Sequence, residues 1–150
     1  MKSGKKKEIM LSAALGLAVN DKGEYLLTQR HQPQDPQVHS LWQIPGGGTE
    51  FGESPEQTLA REMQEELGVS VRILYPHPIA KTALWYLADR DLHITLLCYL
   101  VSIGDQTPTL NDPETGAYGW YSIKQMHDLK LMDLTSDIVE EAEKILKKVA

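Results

Sequence analysis

Residues 46–69 read GGGTEFGESPEQTLAREMQEELGV, and this stretch decides how the centre of the chain folds. Ser54 and Gln57 have the spacing of a capping box, which marks the start of a helix. Gly68 supplies a stop, because glycine readily adopts the left-handed conformation that ends helices. The stretch therefore predicts a glycine-rich turn followed by a helix that ends at about Leu67.

The predicted helix carries an acidic face beside an apolar one. Glu62, Glu65 and Glu66 are spaced i, i+3 and i+4, so they share one face. The neighbouring arc, which would face the core, consists of Leu59, Ala60, Met63 and Leu67. Carboxylates this close repel one another, and a hard divalent cation with oxygen ligands removes that repulsion. Taken alone, the three glutamates fit a solvated surface face as well.

The spacing of the whole stretch is more specific than its acidic face. The fixed positions and the gaps between them are Gly47, five residues, Glu53, seven residues, Arg61-Glu62-Met63, one residue, Glu65-Glu66, one residue, and Gly68-Val69. This pattern resembles the Nudix box of the Nudix hydrolase family over residues 47–69, with no departure at a fixed position. The resemblance extends beyond the box to the Leu-Leu-Thr-Gln-Arg strand, the Trp42-Gln43-Ile44-Pro45-Gly46-Gly47 approach, and the Trp120 strand with its following helix.

The resemblance implies an α/β fold of the Nudix type, an α/β/α sandwich with a mixed central β-sheet. It implies an enzyme that hydrolyses a phosphoanhydride bond in a nucleoside diphosphate linked to another moiety. Nucleoside triphosphates, nucleotide sugars and dinucleoside polyphosphates all have this form. The implied cofactor is Mg²⁺, with Mn²⁺ as a substitute, and the implied partner is a small-molecule nucleotide.

By the same resemblance, the catalytic residues are Glu62, Glu65 and Glu66. Glu62 and Glu66 would be the principal metal ligands. Glu65 would be a further ligand or the base that helps to deprotonate water. The backbone carbonyl of Gly46 would also face the metal.

Three further charged residues complete the site that the resemblance implies. Glu53 and Arg61 would form a structural ion pair that fixes the loop against the helix. Glu114, six residues before Trp120, is the candidate for the additional acidic metal ligand that this family often places outside the box. A plain loop glutamate is the alternative for Glu114.

The candidate substrate-binding residues are spread along the chain. Arg30 and Lys81 are candidate phosphate contacts, and Gly47 would allow a ligand to approach the backbone closely. Trp42 and Tyr86 are candidate base-stacking partners. Tyr86 lies 17 residues past the box, a spacing similar to that in the family's dinucleoside polyphosphate hydrolases. Solvated charges and core aromatics are the ordinary alternatives.

Outside the box, the pattern of apolar residues predicts strands and helices in a mixed order. Strands are predicted over 9–19, 24–30, 41–45, 69–75, 92–103 and 120–121, and helices from 122 and over 137–149. The Asp-Lys-Gly sequence at 21–23 predicts a hairpin between the first two strands, and 31–40 and 104–117 read as loops. We expect a flexible tail over residues 1–8 and a single domain over residues 9–150.

Composition restricts the classes of partner. The net charge of -6 gives no general attraction to nucleic acid or an anionic membrane, and no apolar run approaches the length of a membrane span. The basic run at residues 5–7 is expected to be a solvated tail, with nucleic-acid or nuclear targeting as the alternative. The single cysteine, Cys98, excludes an internal disulfide and fits a small core residue in a cytoplasmic protein. A homodimer is left open.

Two other functions stay open at this point. A non-catalytic nucleotide-sensing module can share the Nudix fold, but such modules tend to lose carboxylates of the box, and here all are present. An isoprenoid diphosphate isomerase also shares the fold, but it needs a catalytic cysteine near the box, which Cys98 matches poorly. A P-loop is excluded because no Gly-Lys-Ser/Thr follows the glycines.

Overall fold

The computed structural model describes residues 6–149, which form eight strands and three helices. In chain order these are β1 (Lys7–Ala18), β2 (Tyr25–Arg30), β3 (Trp42–Gln43), β4 (Gly46–Gly48), α1 (Pro55–Leu67), β5 (Arg72–Ile73), β6 (Ile79–Tyr86), β7 (Arg90–Ser102), β8 (Thr115–Tyr121), α2 (Ile123–Met126) and α3 (Thr135–Val149). The order is mixed, as the sequence predicts.

The larger sheet is built on the parallel pairing of β1 with β7, which runs in register from Lys7 opposite Arg90 to Ala18 opposite Val101. β4 pairs antiparallel with the other side of β1, and β5 and β6 pair antiparallel with the other side of β7. A smaller antiparallel sheet has the order β3-β2-β8. The prediction of a mixed sheet is confirmed, and the small second sheet accompanies it.

Helices cover both faces of the larger sheet, because side chains alternate between the two faces along each central strand. On one face, Ala14 and Ala18 pack in a cluster with Leu59, Met63 and Leu67 of α1. Each of these larger side chains contributes roughly 1.5–3 kcal/mol by leaving water. The opposite face packs against α3 in a second cluster that includes Leu17, Cys98, Leu100, Ile138, Val139 and Ala142. The predicted α/β/α sandwich is therefore confirmed.

Helix α1 begins and ends where the sequence predicts. The Ser54 side chain accepts a hydrogen bond from the Gln57 backbone N–H at 3.2 Å, and the Gln57 side chain accepts one from the Ser54 N–H at 2.8 Å. Gly68 ends the helix with a φ of 65° and donates its N–H to Gln64. These end contacts set where along the helix the acidic residues lie.

The predicted hairpin between the first two strands is wrong. The turn itself is present, with the Asn20 side chain accepting from the N–H groups of Lys22 and Glu24. However, β1 and β2 belong to different sheets, and a single bridge between Val19 and Tyr25 joins them. The reason is that β4 and β7 already occupy the two edges of β1, so no edge is left for β2.

Several elements and boundaries also differ from the predictions. Gly46–Gly48 form the paired strand β4 rather than a turn, and β8 begins at Thr115 inside the predicted loop 104–117. The sequence does not predict β6, an edge strand whose side chains are mostly exposed and which therefore lacks a strong apolar alternation. Residues 1–5 of the predicted tail lie outside the described residues, while Lys7 and Glu8 belong to β1.

Cys98 is a small core residue, 1% exposed, and burial raises the pKa of its thiol to about 12. It forms no disulfide.

Within residues 6–149, no helix combines the length and the apolar composition needed to cross a membrane.

Candidate functional site

Two glycines bring β4 close to both β1 and α1. Gly46 has a φ of 147°, and a Cβ there would lie 2.2 Å from the Ala14 carbonyl oxygen. A Cβ on Gly47 would lie 2.5 Å from the Glu62 carboxyl carbon, so the missing side chain leaves room for that carboxylate. Gly46 and Gly47 therefore create the space in which the carboxylates of the box lie.

Glu66 is the buried carboxylate of the site, with 5% of its surface exposed. Its Oε2 accepts a hydrogen bond from the Gly46 N–H at 3.2 Å, and its Oε1 accepts one from the Thr115 hydroxyl at 3.4 Å. Within residues 6–149, no lysine, arginine or histidine forms an ion pair with it. Burial, followed by the charges of Asp112 and Glu62, raises the pKa of Glu66 to about 7.

The three glutamates of the predicted acidic face do not share one environment. Glu62 is 20% exposed in its side chain and accepts from Arg61 Nη1 at 2.9 Å. Glu65 is 61% exposed and accepts from the same nitrogen at 3.2 Å. Glu62 and Glu66 thus lie beside β4, whereas Glu65 lies at the solvent edge of the helix.

Arg61 ties the loop to the helix through several acceptors. It binds both carboxylate oxygens of Glu53, at 2.7 and 3.0 Å, so the expected pair is present and is bidentate. Its Nη2 also donates to the Gly48 carbonyl at 2.9 Å. The Arg61 hydrogen bond, followed by that of the Glu50 N–H, lowers the pKa of Glu53 to about 2. The guanidinium therefore joins the loop, β4 and the acidic face of α1.

Thr58 extends this network into the core, and the sequence reasoning missed it. The residue is fully buried, and its hydroxyl lies 3.0 Å from Glu53 Oε1, 3.2 Å from the Thr49 hydroxyl and 3.2 Å from the Ser54 carbonyl. Its position falls among the seven unspecified residues between Glu53 and Arg61, so no spacing signal marks it.

Strands β2 and β8 line a second side of the site. Through their pairing, Arg30 lies opposite a residue that contacts the buried carboxylate. Arg30 lies opposite Thr115, whose hydroxyl donates to Glu66. Its guanidinium donates to the side-chain oxygens of Gln32 at 2.7 Å and Gln43 at 3.3 Å. It has no carboxylate partner within the described residues, so its charge is oriented by amides and is not neutralised.

The loop before β8 contributes two acidic residues in different ways. Glu114 is exposed and accepts from the Gln32 side chain at 3.2 Å. Asp112 is half-buried, and its charge is among the causes of the raised Glu66 pKa. Asp112 is thus the acidic residue outside the box whose charge raises the pKa of Glu66. Its signal in the sequence was the same Asn-Asp-Pro-Glu loop that pointed to Glu114.

The structure does not bring Lys81, Tyr86 and Trp42 to the box. Lys81 lies on the α3 face of the sheet and forms an ion pair with Glu141 at 2.9 Å. Trp42 packs edge-to-face on Tyr121, with ring centroids 5.2 Å apart, against the α3 cluster.

Tyr86 lies at the far end of the sheet. It is 72% exposed and pairs with Asp91, which pairs with Glu8. The box strand pairs instead with Ala13 to Leu15 of β1. The separation along β1 is therefore roughly 20 Å.

The donor set fits a hard divalent cation. Glu62 and Glu66 place carboxylate oxygens on one side of β4 that could hold a cation, and a cation there would relieve their mutual repulsion. No cluster of three or more acidic, histidine or cysteine side chains within residues 6–149 forms a complete protein cage. Two carboxylates with open positions suit a cation that is also bound by phosphate oxygens. The assignment of the Gly46 carbonyl and Glu114 as metal ligands stays a prediction.

The Arg61 network should stabilise the fold. Arg61→Ala leaves Glu53 and the Gly48 carbonyl without their cation, so we expect the melting temperature to fall by several degrees. Glu65→Gln should leave it nearly unchanged, since an exposed pair contributes little. Thermal melts without metal measure both, and equal melting temperatures would contradict the scaffold role.

Glu66 should make the metal-free protein less stable as the pH rises. Its pKa is raised in the fold from 4.5 to about 7, so the folded state favours the protonated form. That contribution, roughly 3 kcal/mol, is present below pH 4.5 and is lost as the pH passes about 7. Glu66→Gln should remove this dependence, because glutamine stays neutral. Urea unfolding in chelator between pH 5 and 8 measures it, and parallel curves for both proteins would refute the assignment.

Comparison with known proteins shows the family of this chain. The NUDIX domain profile matches residues 10–142. The chain is 31% identical over 113 residues to an 8-oxo-dGTP diphosphatase of Escherichia coli, covering 75% of this chain and 81% of that protein. It is 43% identical over 53 residues to an RNA pyrophosphohydrolase of Acinetobacter baylyi, covering 35% and 28%.

The fold is shared with solved structures. A crystal structure of a MutT protein from Methanosarcina mazei superposes with a TM-score of 0.71 at 22% identity, covering 97% of this chain and 99% of that one. At this identity the likeness shows the fold. With the family profile and the E. coli relative, it leads to one conclusion: the chain belongs to the Nudix hydrolase family.

Proposed function

We propose that this protein hydrolyses a phosphoanhydride bond in a nucleoside diphosphate linked to another moiety, with Mg²⁺ as its cofactor and Mn²⁺ as a substitute. The observation that carries the proposal is the buried Glu66 carboxylate beside Glu62, held by two neutral hydrogen bonds and no protein cation. A buried anion without a counter-charge is costly, and a divalent cation with bound phosphate relieves that cost.

The three glutamates and the arginine of the box would then have distinct parts in the reaction. Glu62 and Glu66 would hold the cation, which supplies positive charge to polarise a phosphoryl oxygen. Glu65, open to solvent and hydrogen-bonded to Arg61, would accept the proton of the attacking water. Arg61 would keep Glu62 and Glu65 in place through a single nitrogen.

Arg30 would bind the phosphate chain from the side of the site that β2 and β8 form. The Gln32 and Gln43 amides orient its guanidinium, and no carboxylate of the described chain competes for it. A guanidinium fixed in this way can form two parallel hydrogen bonds to a phosphate, which adds specificity as well as charge.

Nucleoside triphosphates, ordinary or modified, are the substrates we favour. The E. coli relative is named for 8-oxo-dGTP, and the Acinetobacter relative for RNA. We favour small nucleotides over RNA because a net charge of -6 gives no overall attraction to a long phosphate backbone. The remote position of Tyr86 removes the reason to favour dinucleoside polyphosphates. The single free cysteine supports a cytoplasmic location as part of the same proposal.

The alternatives are less well supported. An isomerase would need a reactive cysteine, but Cys98 is buried in the cluster beneath α3 and burial raises its pKa to about 12. A sensor module would not need the complete set of box carboxylates, all of which are present here.

Incubation with mixed nucleoside triphosphates and Mg²⁺ should release monophosphate and pyrophosphate. Glu66→Gln should lower turnover by at least about 100-fold because it removes a metal ligand. The matched control is Glu56→Gln on the same helix, whose carboxylate accepts from Tyr99 instead, and it should keep its activity. Tight nucleotide binding without turnover would favour the sensor, and near-wild-type turnover of Glu66→Gln would overturn the ligand assignment.

Substrate affinity should depend on Arg30 and not on Lys81. Arg30→Ala should raise KM roughly tenfold, because it removes a charged hydrogen bond to phosphate. Lys81→Ala removes the same charge from the α3 face and should leave KM unchanged. Steady-state kinetics on the best substrate compare the two, and similar KM values for both variants would contradict the placement of the phosphate chain.

A further inference from the structure

Strand β6 leaves one edge of the larger sheet open. From Ile79 opposite Cys98 to Tyr86 opposite Asp91 it pairs with β7 on one side. No strand within the part of the chain that the structure describes pairs with its other side. An open edge of eight residues presents a row of backbone N–H and C=O groups that can pair with another strand.

This edge lacks the charges that usually protect open strands. Residues 82–86 read TALWY and are uncharged. Lys81, the one charged residue of β6, is held by Glu141 of its own α3 at 2.9 Å. A long, uncharged edge is a surface at which strands from separate chains associate.

Large apolar side chains flank the edge on both faces of the sheet. Leu84 and Tyr86 are 54% and 72% exposed on one face, and Trp85 is 37% exposed on the other. Leu84 and Tyr86 lie two residues apart on the same face, so they form an exposed apolar pair beside the open edge.

We propose that β6 pairs antiparallel with β6 of a second copy of this chain, so that one continuous sheet crosses a two-fold axis. A second copy of the chain carries the same open edge, and antiparallel pairing of the two edges about a two-fold axis matches backbone donors with acceptors. Residues 82–86 place no like charges opposite each other in this arrangement. Nothing in it depends on the chemistry of the box.

The area sets the expected strength of the dimer. Edge-to-edge pairing covers the backbone edges and only the flanks of the side chains, which stand roughly perpendicular to the sheet, so the buried area is small. Such an area lies at the low end of specific interfaces, where association is reversible. The dimer should therefore form at micromolar concentrations and leave both boxes open, since β4 lies on the far side of β1 from β7 and β6.

Sedimentation velocity of the full chain, from about 1 to 100 µM, tests the proposal. The wild type should shift from monomer to dimer with concentration. Thr82→Lys and Leu84→Lys, both exposed on the edge, should each raise the dissociation constant at least tenfold by placing like charges across the axis. Leu110→Lys, 40% exposed in the loop before β8, is the matched control and should dimerise like the wild type.

A wild type that stays monomeric over this range would overturn the proposal, as would a dimer that tolerates both edge lysines. Hydrogen exchange on the wild type needs no variant and keeps the test decisive if a lysine disturbs folding. Amides of residues 79–86 should exchange more slowly at high than at low protein concentration. Exchange rates in β6 that do not depend on concentration would count against the paired edge.

Discussion

The site depends on the close packing of a side-chain-free strand between β1 and α1. Gly46 sits so near the Ala14 carbonyl that no side chain fits there, and Gly47 leaves the space that the Glu62 carboxylate occupies. Because β4 lies this close, its Gly46 amide reaches Glu66 on the adjacent helix. A bulkier strand would push α1 outward, and the carboxylates would then lie in solvent, where they would neither repel strongly nor hold a cation well.

Stability and the proposed metal binding act in opposite directions at Glu66. Burial of the ionised Glu66 carboxylate without a cation is unfavourable. The neutral hydrogen bonds from Gly46 and Thr115 offset only part of that cost, as the raised pKa of Glu66 shows. The fold compensates nearby, where Arg61 joins Glu53, the Gly48 carbonyl and the acidic face. One part of the loop and helix is therefore held tightly by charge-assisted hydrogen bonds, while the adjacent part keeps a carboxylate available for a ligand.

The long pairing of β1 with β7 separates the two ends of the molecule. At one end, β1 pairs with β4 and supports the box; at the other, residues 7–11 extend beside the start of β7 and the end of β6. Candidate residues that are far from the box in space, such as Tyr86, belong to this second end. The same strands thus support a chemical site and an open edge without direct contact between them.

Local sequence determined the parts of this protein that depend on short-range geometry. The capping box at Ser54, the stop at Gly68 and the i, i+3, i+4 spacing of the glutamates all act within a few residues, so α1 and its acidic face could be predicted. The box pattern identified the family in the same way, as the profile match confirms.

Tertiary structure decided which residues meet across the fold. Partners for each strand edge depend on long-range pairing, so the sequence could not show that β1 prefers β7 to β2, nor that Gly46–Gly48 would pair as a strand. That packing buries Glu66 but leaves Glu65 in solvent, and it brings Asp112 and Thr115 close to Glu66. It also places Lys81 on the opposite face of the sheet. Spacing along one helix fixes the angle at which a side chain leaves the axis, whereas its environment is set by elements distant in the chain.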